Sequence, residues 1–238
     1  MYFYRPLRQI RAFTFDLDDT LYDNRPVITR TEYESLQFLK RYHPALRNLE
    51  QEDYKRFRYE LRQREPEICH DVGKWRRCSM ELAMCNAGLS QKEARIGANV
   101  AMEVVLCWRS QIDVPAETHY TLSALSARWP LVAISNGNAS LSACGLAGYF
   151  RYILYAGQAG RAKPYPDMFY TASELLNVPL QSILHVGDNL ETDIIGAICC
   201  SMQACWINDR GANIALVANT RLLPHLEISR LASLMDFL

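Results

Sequence analysis

Five short apolar runs constrain this chain more than any other feature: Ile10–Phe15, Leu131–Ser135, Tyr152–Ala156, Ser182–Val186 and Ala204–Ile207. Each is nearly continuous rather than alternating, the pattern of a parallel strand covered on both faces. Helical patterns accompany the later runs. Thr118–Arg128 precedes the second and Ser140–Leu146 follows it, Asp167–Leu176 precedes the fourth, and Thr192–Cys199 precedes the fifth. Strand and helix in alternation predict an α/β fold with a doubly wound parallel sheet and right-handed crossovers.

Residues 24–112 break the alternation. Thr31–Tyr42, Glu52–Arg64, Trp75–Ala87 and Lys92–Trp108 carry apolar residues at helical spacing with no strand between them, which predicts a small helical bundle. It follows the first strand, so it is an inserted domain. Residues 1–23 and 113–238 then form the α/β core, and prolines mark both joins, near Asp23–Pro26 and Ile112–Pro115.

The bulk numbers exclude several classes. Lys+Arg and Asp+Glu are equal at 26 each in 238 residues, so no net basic charge points to nucleic acid or an anionic membrane. Lys74-Trp-Arg-Arg77 is the nearest candidate for a local basic cluster, and a solvated helix face is its simplest reading. No apolar run approaches the ~20 residues of a membrane span, and the polar, aromatic N-terminus lacks a secretory apolar core. A cytoplasmic protein is expected. The eight cysteines contain no Cys-x-x-Cys pair, so they read as buried small hydrophobes rather than zinc ligands or disulfides.

Chemistry concentrates at the strand ends. Asp16, Asp18 and Asp19 put three carboxylates in four residues directly after a buried strand. Acidic residues repel one another and form strands poorly, whereas ligands of open α/β sheets bind beyond the carboxyl ends of strands. A divalent cation with oxygen ligands, Mg²⁺, would keep such carboxylates ionised together. Asp19 fits a turn or helix cap better. Asp188 and Asp193 follow another strand, with Gly187 permitting a tight turn. Ser135, Asn136 and Gly137 end the second strand, where a hydroxyl and backbone N–H groups could hold a phosphate oxygen. Lys163 lies beyond the Gly157–Gly160 turn and could neutralise a nucleophile and a phosphate. No Gly-x-Ser-x-Gly elbow, nucleotide-binding Gly-rich fingerprint or Ser-His-Asp set occurs. His185 reads as a packed core histidine.

Taken in order, these sites resemble those of the haloacid dehalogenase superfamily. Its Asp-x-Asp-x-Thr motif matches Asp16, Asp18 and Thr20; its Ser/Thr motif, Ser135; its lysine, Lys163; its Gly-Asp-x-x-x-x-Asp motif, Gly187, Asp188 and Asp193. The resemblance spans essentially the whole chain and implies a Mg²⁺-dependent phosphatase acting on a small-molecule phosphate ester. It implies that Asp16 is the nucleophile, forming an aspartyl phosphate, and that Asp18 is the general acid and base. Ser135, Asn136 and Lys163 would bind the phosphoryl group. Asp16, the Asp18 carbonyl and Asp188 would hold the metal, with Asp193 orienting Lys163 or the metal's water ligands. The helical insertion would then be a cap that closes over the site and selects the substrate. Asn24, Arg25, Tyr22, Tyr33 and Trp75 could touch the leaving group, although core packing competes as a reading for each aromatic. A dehalogenase of this family needs no second acid, so Asp18 favours phosphate ester hydrolysis. A phosphomutase, a sugar-phosphate or nucleotide phosphatase, and a receiver-like phosphoacceptor are the alternatives.

Overall fold

The structure, a computed structural model, describes residues 1–214 and 222–238. Its strands are β1 (Tyr2–Phe3), β2 (Ala12–Phe15), β3 (Leu131–Ser135), β4 (Tyr152–Tyr155), β5 (Ile183–Gly187), β6 (Gln203–Ile207) and β7 (Leu226–Ile228). They form one seven-stranded sheet in the order β1-β7-β6-β5-β2-β3-β4. Only the β1–β7 pair is antiparallel; the other five are parallel. The expected α/β parallel sheet is therefore present, with β5, β2 and β3 at its centre.

Every residue of β2, β3, β5 and β6 is buried, which explains their nearly continuous apolar character. Phe13 and Phe15 stack on one face of β2, with ring centroids 6.0 Å apart, and Trp129 meets Phe13 edge-on at 5.3 Å. Burying each of these rings contributes roughly 1.5–3 kcal/mol. The opposite face carries Val132, Ile134, Met168, Phe169, Ile183, Ile194 and Trp206 in a single cluster.

The helices of the insertion are α1 (Arg25–Tyr42), α2 (Gln51–Arg64), α3 (Val72–Asn86) and α4 (Gln91–Arg109). Helix α1 begins earlier than its apolar spacing predicts because Pro26 lies in its first turn, where a missing N–H costs nothing. Capping boxes at Glu50/Asp53 and Ser90/Glu93 start α2 and α4, each satisfying orphaned N–H groups. Leu39, Phe57, Met80, Met84, Ala98 and Val105 form the bundle's own core. The chain resolves into two compact units: residues 1–23, 113–137 and 144–238, and residues 24–112 with 138–143.

Three expectations need correction. Ser140–Leu146 is a series of turns rather than a helix: seven residues are too few to offset helix nucleation, and Gly145 turns out of it at φ 74°. The predicted Thr192–Cys199 helix is a wide π-turn over Leu190–Ile195 that continues as α7 (Gly196–Cys199). The remaining helices of this unit are α5 (Ala116–Ser126) and α6 (Asp167–Leu176). Among the cysteines only Cys200 and Cys205 are buried; all eight are free thiols, two of them exposed.

Candidate active site

The site grows from the carboxyl ends of β2, β3 and β5, three neighbouring parallel strands. Asp16 leaves β2, Ser135 ends β3, and Asp188 follows β5. Parallel pairing in register (Phe15 with Ala133 and with Val186) brings these ends to one edge of the sheet.

Lys163 is the hub. Only 3% of it is exposed, and its ammonium donates to Asp16 Oδ1 at 2.5 Å, to Asp193 Oδ1 at 2.7 Å and to the Ile134 carbonyl at 2.7 Å. Three acceptors match its three N–H groups. Its backbone is clamped by Asn136: the Lys163 N–H donates to Asn136 Oδ1 at 2.7 Å, and Asn136 Nδ2 donates back to the Lys163 carbonyl at 2.9 Å. The Asn136 side chain thus positions the lysine, a role its Asn-Gly setting did not reveal. Ser135 is buried, and its Oγ accepts the Gly137 N–H at 2.9 Å.

Asp16, Asp188 and Asp193 each offer an oxygen within 4.8 Å of the others'. Gly187 makes this possible, because a Cβ there would lie 2.4 Å from Asp193 Cγ. The π-turn delivers Asp193: Asn189 Oδ1 caps the Glu191 and Thr192 N–H groups at 3.0 Å, and the Asn189 N–H donates to Asp193 Oδ2 at 3.0 Å. His185 Nε2 lies 3.4 Å from Asp193 Oδ1, and its Nδ1 is 2.8 Å from Thr14 Oγ1. The histidine is a core residue, as its strand position implies, but one that braces Asp193. The Thr20 hydroxyl lies 3.2 Å from Asp16 Oδ2 and 3.3 Å from Asp188 Oδ1.

Asp18 is not among the three carboxylates that converge within 4.8 Å. Its Oδ1 accepts from the Tyr22 hydroxyl at 2.9 Å, and Tyr22 itself is buried. Tyr22 is thus a support for Asp18 in the α/β unit. Asp19 occupies the left-handed region at φ 62°, as a turn residue. Asn24 accepts from Arg109 within the helical unit, Tyr33 is exposed, and Trp75 donates to the Arg58 carbonyl at 2.9 Å. The basic run is no free patch: Lys74 pairs with Glu65 and Arg77 with Glu81.

The electrostatics follow from three buried or half-buried carboxylates and one ammonium. Burial pushes Asp16 up to about 8; Lys163 opposes the rise, while Asp193 and Asp18 add to it. Asp188 rises to about 6 through burial, then repulsion from Asp193 and Asp19. Burial also acts on Asp193, but the Lys163 charge and the His185 hydrogen bond outweigh it and hold that carboxyl below its usual range. Burial disfavours the charged lysine, yet Asp16 and Asp193 hold its pKa above the ordinary value. Excess negative charge on convergent, hard oxygen donors suits a divalent cation of the Mg²⁺ type.

Comparison with known proteins agrees with this geometry. Residues 10–200 match the haloacid dehalogenase-like hydrolase model. The chain is 57% identical to the 5-amino-6-(5-phospho-D-ribitylamino)uracil phosphatase YigB of Escherichia coli, over 100% of both chains. It is 26% identical to the N-acylneuraminate-9-phosphatase of Rattus norvegicus, covering 96% of this chain and 93% of that one. Among solved structures, a 2-haloacid dehalogenase from Pseudomonas syringae superposes with a TM-score of 0.90 at 34% identity, covering 96% of this chain and 97% of the other. No described helix is long and apolar enough to cross a membrane. By its sequence motifs, its sheet and its matched span, this chain belongs to the haloacid dehalogenase-like hydrolases.

Proposed function

We propose that this hydrolase cleaves phosphate monoesters through a covalent phosphoenzyme on Asp16. The observation that carries the reading is the Asp16 carboxylate fixed 2.5 Å from a buried ammonium, with a second acid, Asp18, two residues further on. An Asp16 oxygen attacks phosphorus while the ester P–O bond breaks, and Asp18 gives its proton to the departing alkoxide. Water then attacks the phosphorus of the aspartyl phosphate. Asp18 takes the water's proton, the Asp16–phosphorus bond breaks, and inorganic phosphate leaves. Lys163, the Ser135 hydroxyl and the Asn136 N–H bind phosphoryl oxygens and offset their charge. Asp16, Asp188 and the Asp18 carbonyl would hold Mg²⁺, with Asp193 orienting the lysine beside it. The cation supplies charge neutralisation between a carboxylate nucleophile and an anionic substrate.

The full-length identity of 57% supports 5-amino-6-(5-phospho-D-ribitylamino)uracil as substrate and a role in riboflavin synthesis. FMN carries the same ribityl phosphate and is the second candidate. Dehalogenation is the competing reaction, since one solved relative is a 2-haloacid dehalogenase. Halide leaves without a proton, whereas an alkoxide needs one, and Tyr22 holds Asp18 ready to supply it.

A release assay decides between them. With Mg²⁺, phosphate should appear from the ribitylamino-uracil phosphate and FMN faster than from sugar phosphates or nucleoside monophosphates, and no halide should appear from 2-haloacids. Asp16→Asn should leave under about a thousandth of the activity. Near-normal turnover by that variant would refute the assignment.

A further inference from the structure

The α/β unit carries a second concentration of charge, at the end of the sheet opposite the aspartates. A cavity of ≈ 300 Å³ lies at the amino ends of β5, β6 and β7, lined by Arg5, Arg8, Gln181, Ser201, Gln203 and His225. None of the described residues that line it is acidic. Arg5 is half-buried and Arg8 exposed, so solvent and solutes reach both guanidiniums. Among the described residues neither arginine has a carboxylate within salt-bridge reach.

Neutral groups hold these arginines in place and leave their charge intact. The buried Gln203 side chain accepts the Arg8 N–H at 2.7 Å through Oε1 and donates to the Arg8 carbonyl at 3.4 Å through Nε2. The Arg8 guanidinium donates to Gln181 Oε1 at 2.7 Å. The Tyr4 and Arg5 N–H groups both donate to the His225 carbonyl, at 2.9 and 3.2 Å. His225 Nδ1 accepts the Ala204 N–H at 3.1 Å, which leaves the ring proton on Nε2 as a further donor. Burial, then the Arg5 charge, lowers the pKa of this ring. One concave surface thus gathers two positive charges and several neutral donors. A cleft lined by one sign of charge focuses its field on ions of the other, and a guanidinium fork matches two oxygens of a phosphate group. Two guanidiniums match a dianion. The volume exceeds that of a bare ion and reaches the ~300–1,000 Å³ range of small-molecule pockets; Ile198 and Met202 line the rest of it.

We infer that this cavity binds the phosphate group of a small organic phosphate, held by Arg5 and Arg8. The occupant supplies the counter-charge that the lining lacks and joins the amino-terminal segment to β6 and β7. The site lies at the other end of the sheet from Asp16 and does not depend on the phosphatase reading.

Histidine NMR of the full-length protein tests it, with ethylphosphonate as the probe because its C–P bond resists hydrolysis. The titration is run in EDTA at pH 8, with ionic strength held constant by chloride. His225 reports the cavity, and His185 reports the strand ends beside Asp193. The His225 ring signals should move along a saturable curve with a Kd in the millimolar range. Arg5→Met and Arg8→Met should each weaken binding about fivefold or more, and the double variant should abolish it. Arg8→Lys keeps the charge without the fork and should weaken binding less than Arg8→Met. Each variant should melt with the wild type, since both side chains reach solvent. Absence of a saturable His225 shift, an equal shift with chloride alone, or unchanged affinity in the double variant would overturn the site. So would a shift of His185 without one of His225, which would place the anion at the aspartates.

Discussion

Replacing Lys163 with methionine probes the charge balance on which the site rests. The ammonium is buried and holds Asp16 and Asp193 at 2.5 and 2.7 Å. Methionine fills a similar volume but leaves both carboxylates facing each other without a cation. Breaking a buried pair by removing one partner costs about 3–5 kcal/mol, a large part of the roughly 5–15 kcal/mol that stabilises a typical domain. At about 2–4 °C per kcal/mol for a chain of this size, Tm should fall by roughly 10 °C in metal-free buffer at pH 7.5, read by calorimetry. The pH dependence is the sharper signature. In wild type Lys163 depresses Asp193, so that group contributes stability above the ordinary carboxylate pKa of ~3.9. Asp16 is already raised in wild type; without Lys163 it rises further and Asp193 is no longer held down. The native state then binds more protons than the unfolded chain, and the variant loses stability as pH rises. The gap between wild type and variant should therefore narrow as pH falls from 8 to 5. A deficit below about 1 kcal/mol, or one constant across that range, would show that the ammonium is not the counter-charge of the cluster.

Other perturbations reach the same site by different routes. Gly187→Ala places a Cβ 2.4 Å from Asp193 Cγ; it should displace Asp193 and cost about 1–3 kcal/mol, and an unchanged denaturation midpoint would contradict the close packing. Burial raises Asp188 to about 6 and Asp16 higher still, so divalent-cation affinity should fall steeply from pH 7.5 to 5 as protons compete for the proposed ligands; Mn²⁺ titrations at the two pH values that agree would exclude that carboxylate pair as the ligand set. Tyr22→Phe removes the hydrogen bond to Asp18 Oδ1 and should lower kcat several-fold, in line with about 1 kcal/mol of lost positioning, with KM little changed; a loss confined to KM would instead place Tyr22 against the substrate.

Much of this arrangement is legible in sequence because burial and charge leave local traces. Strands β2, β3, β5 and β6 are buried throughout and mostly apolar, and Asp16, Ser135 and Asp188 lie at or just beyond their ends. The short strands β1 and β7 leave no such trace. Strand β1 is two exposed residues and β7 only three residues, and the two pair across more than 200 residues of chain. The π-turn is equally silent, since it depends on Asn189 capping two N–H groups rather than on apolar spacing. The supports of the site are all long-range or side-chain specific: Asn136 clasps Lys163, Tyr22 holds Asp18, and Thr14 with His185 backs Asp193. A histidine in a strand and a tyrosine after an acidic motif have ordinary packing explanations until their partners are known. The acidic residues could be read in advance because their cost is local; their supports could not, because their value lies in where the sheet brings them.

That distribution of charge also bears on why the cluster needs a cation. Three carboxylates around one ammonium leave two negative charges in a site where burial already opposes ionisation. Asp16, the proposed nucleophile, carries part of that cost: burial raises it to about 8, so near pH 7 a proton competes for its oxygens. Lys163 alone does not remove the competition, because Asp193 shares it. On the proposed mechanism, Asp16 and Asp188 would hold a divalent cation, which would supply charge neutralisation for the remaining two charges and for a phosphate dianion. The same arrangement divides the two acids of that mechanism: Asp16 sits inside the cluster beside Lys163, and Asp18 is held by the Tyr22 hydroxyl.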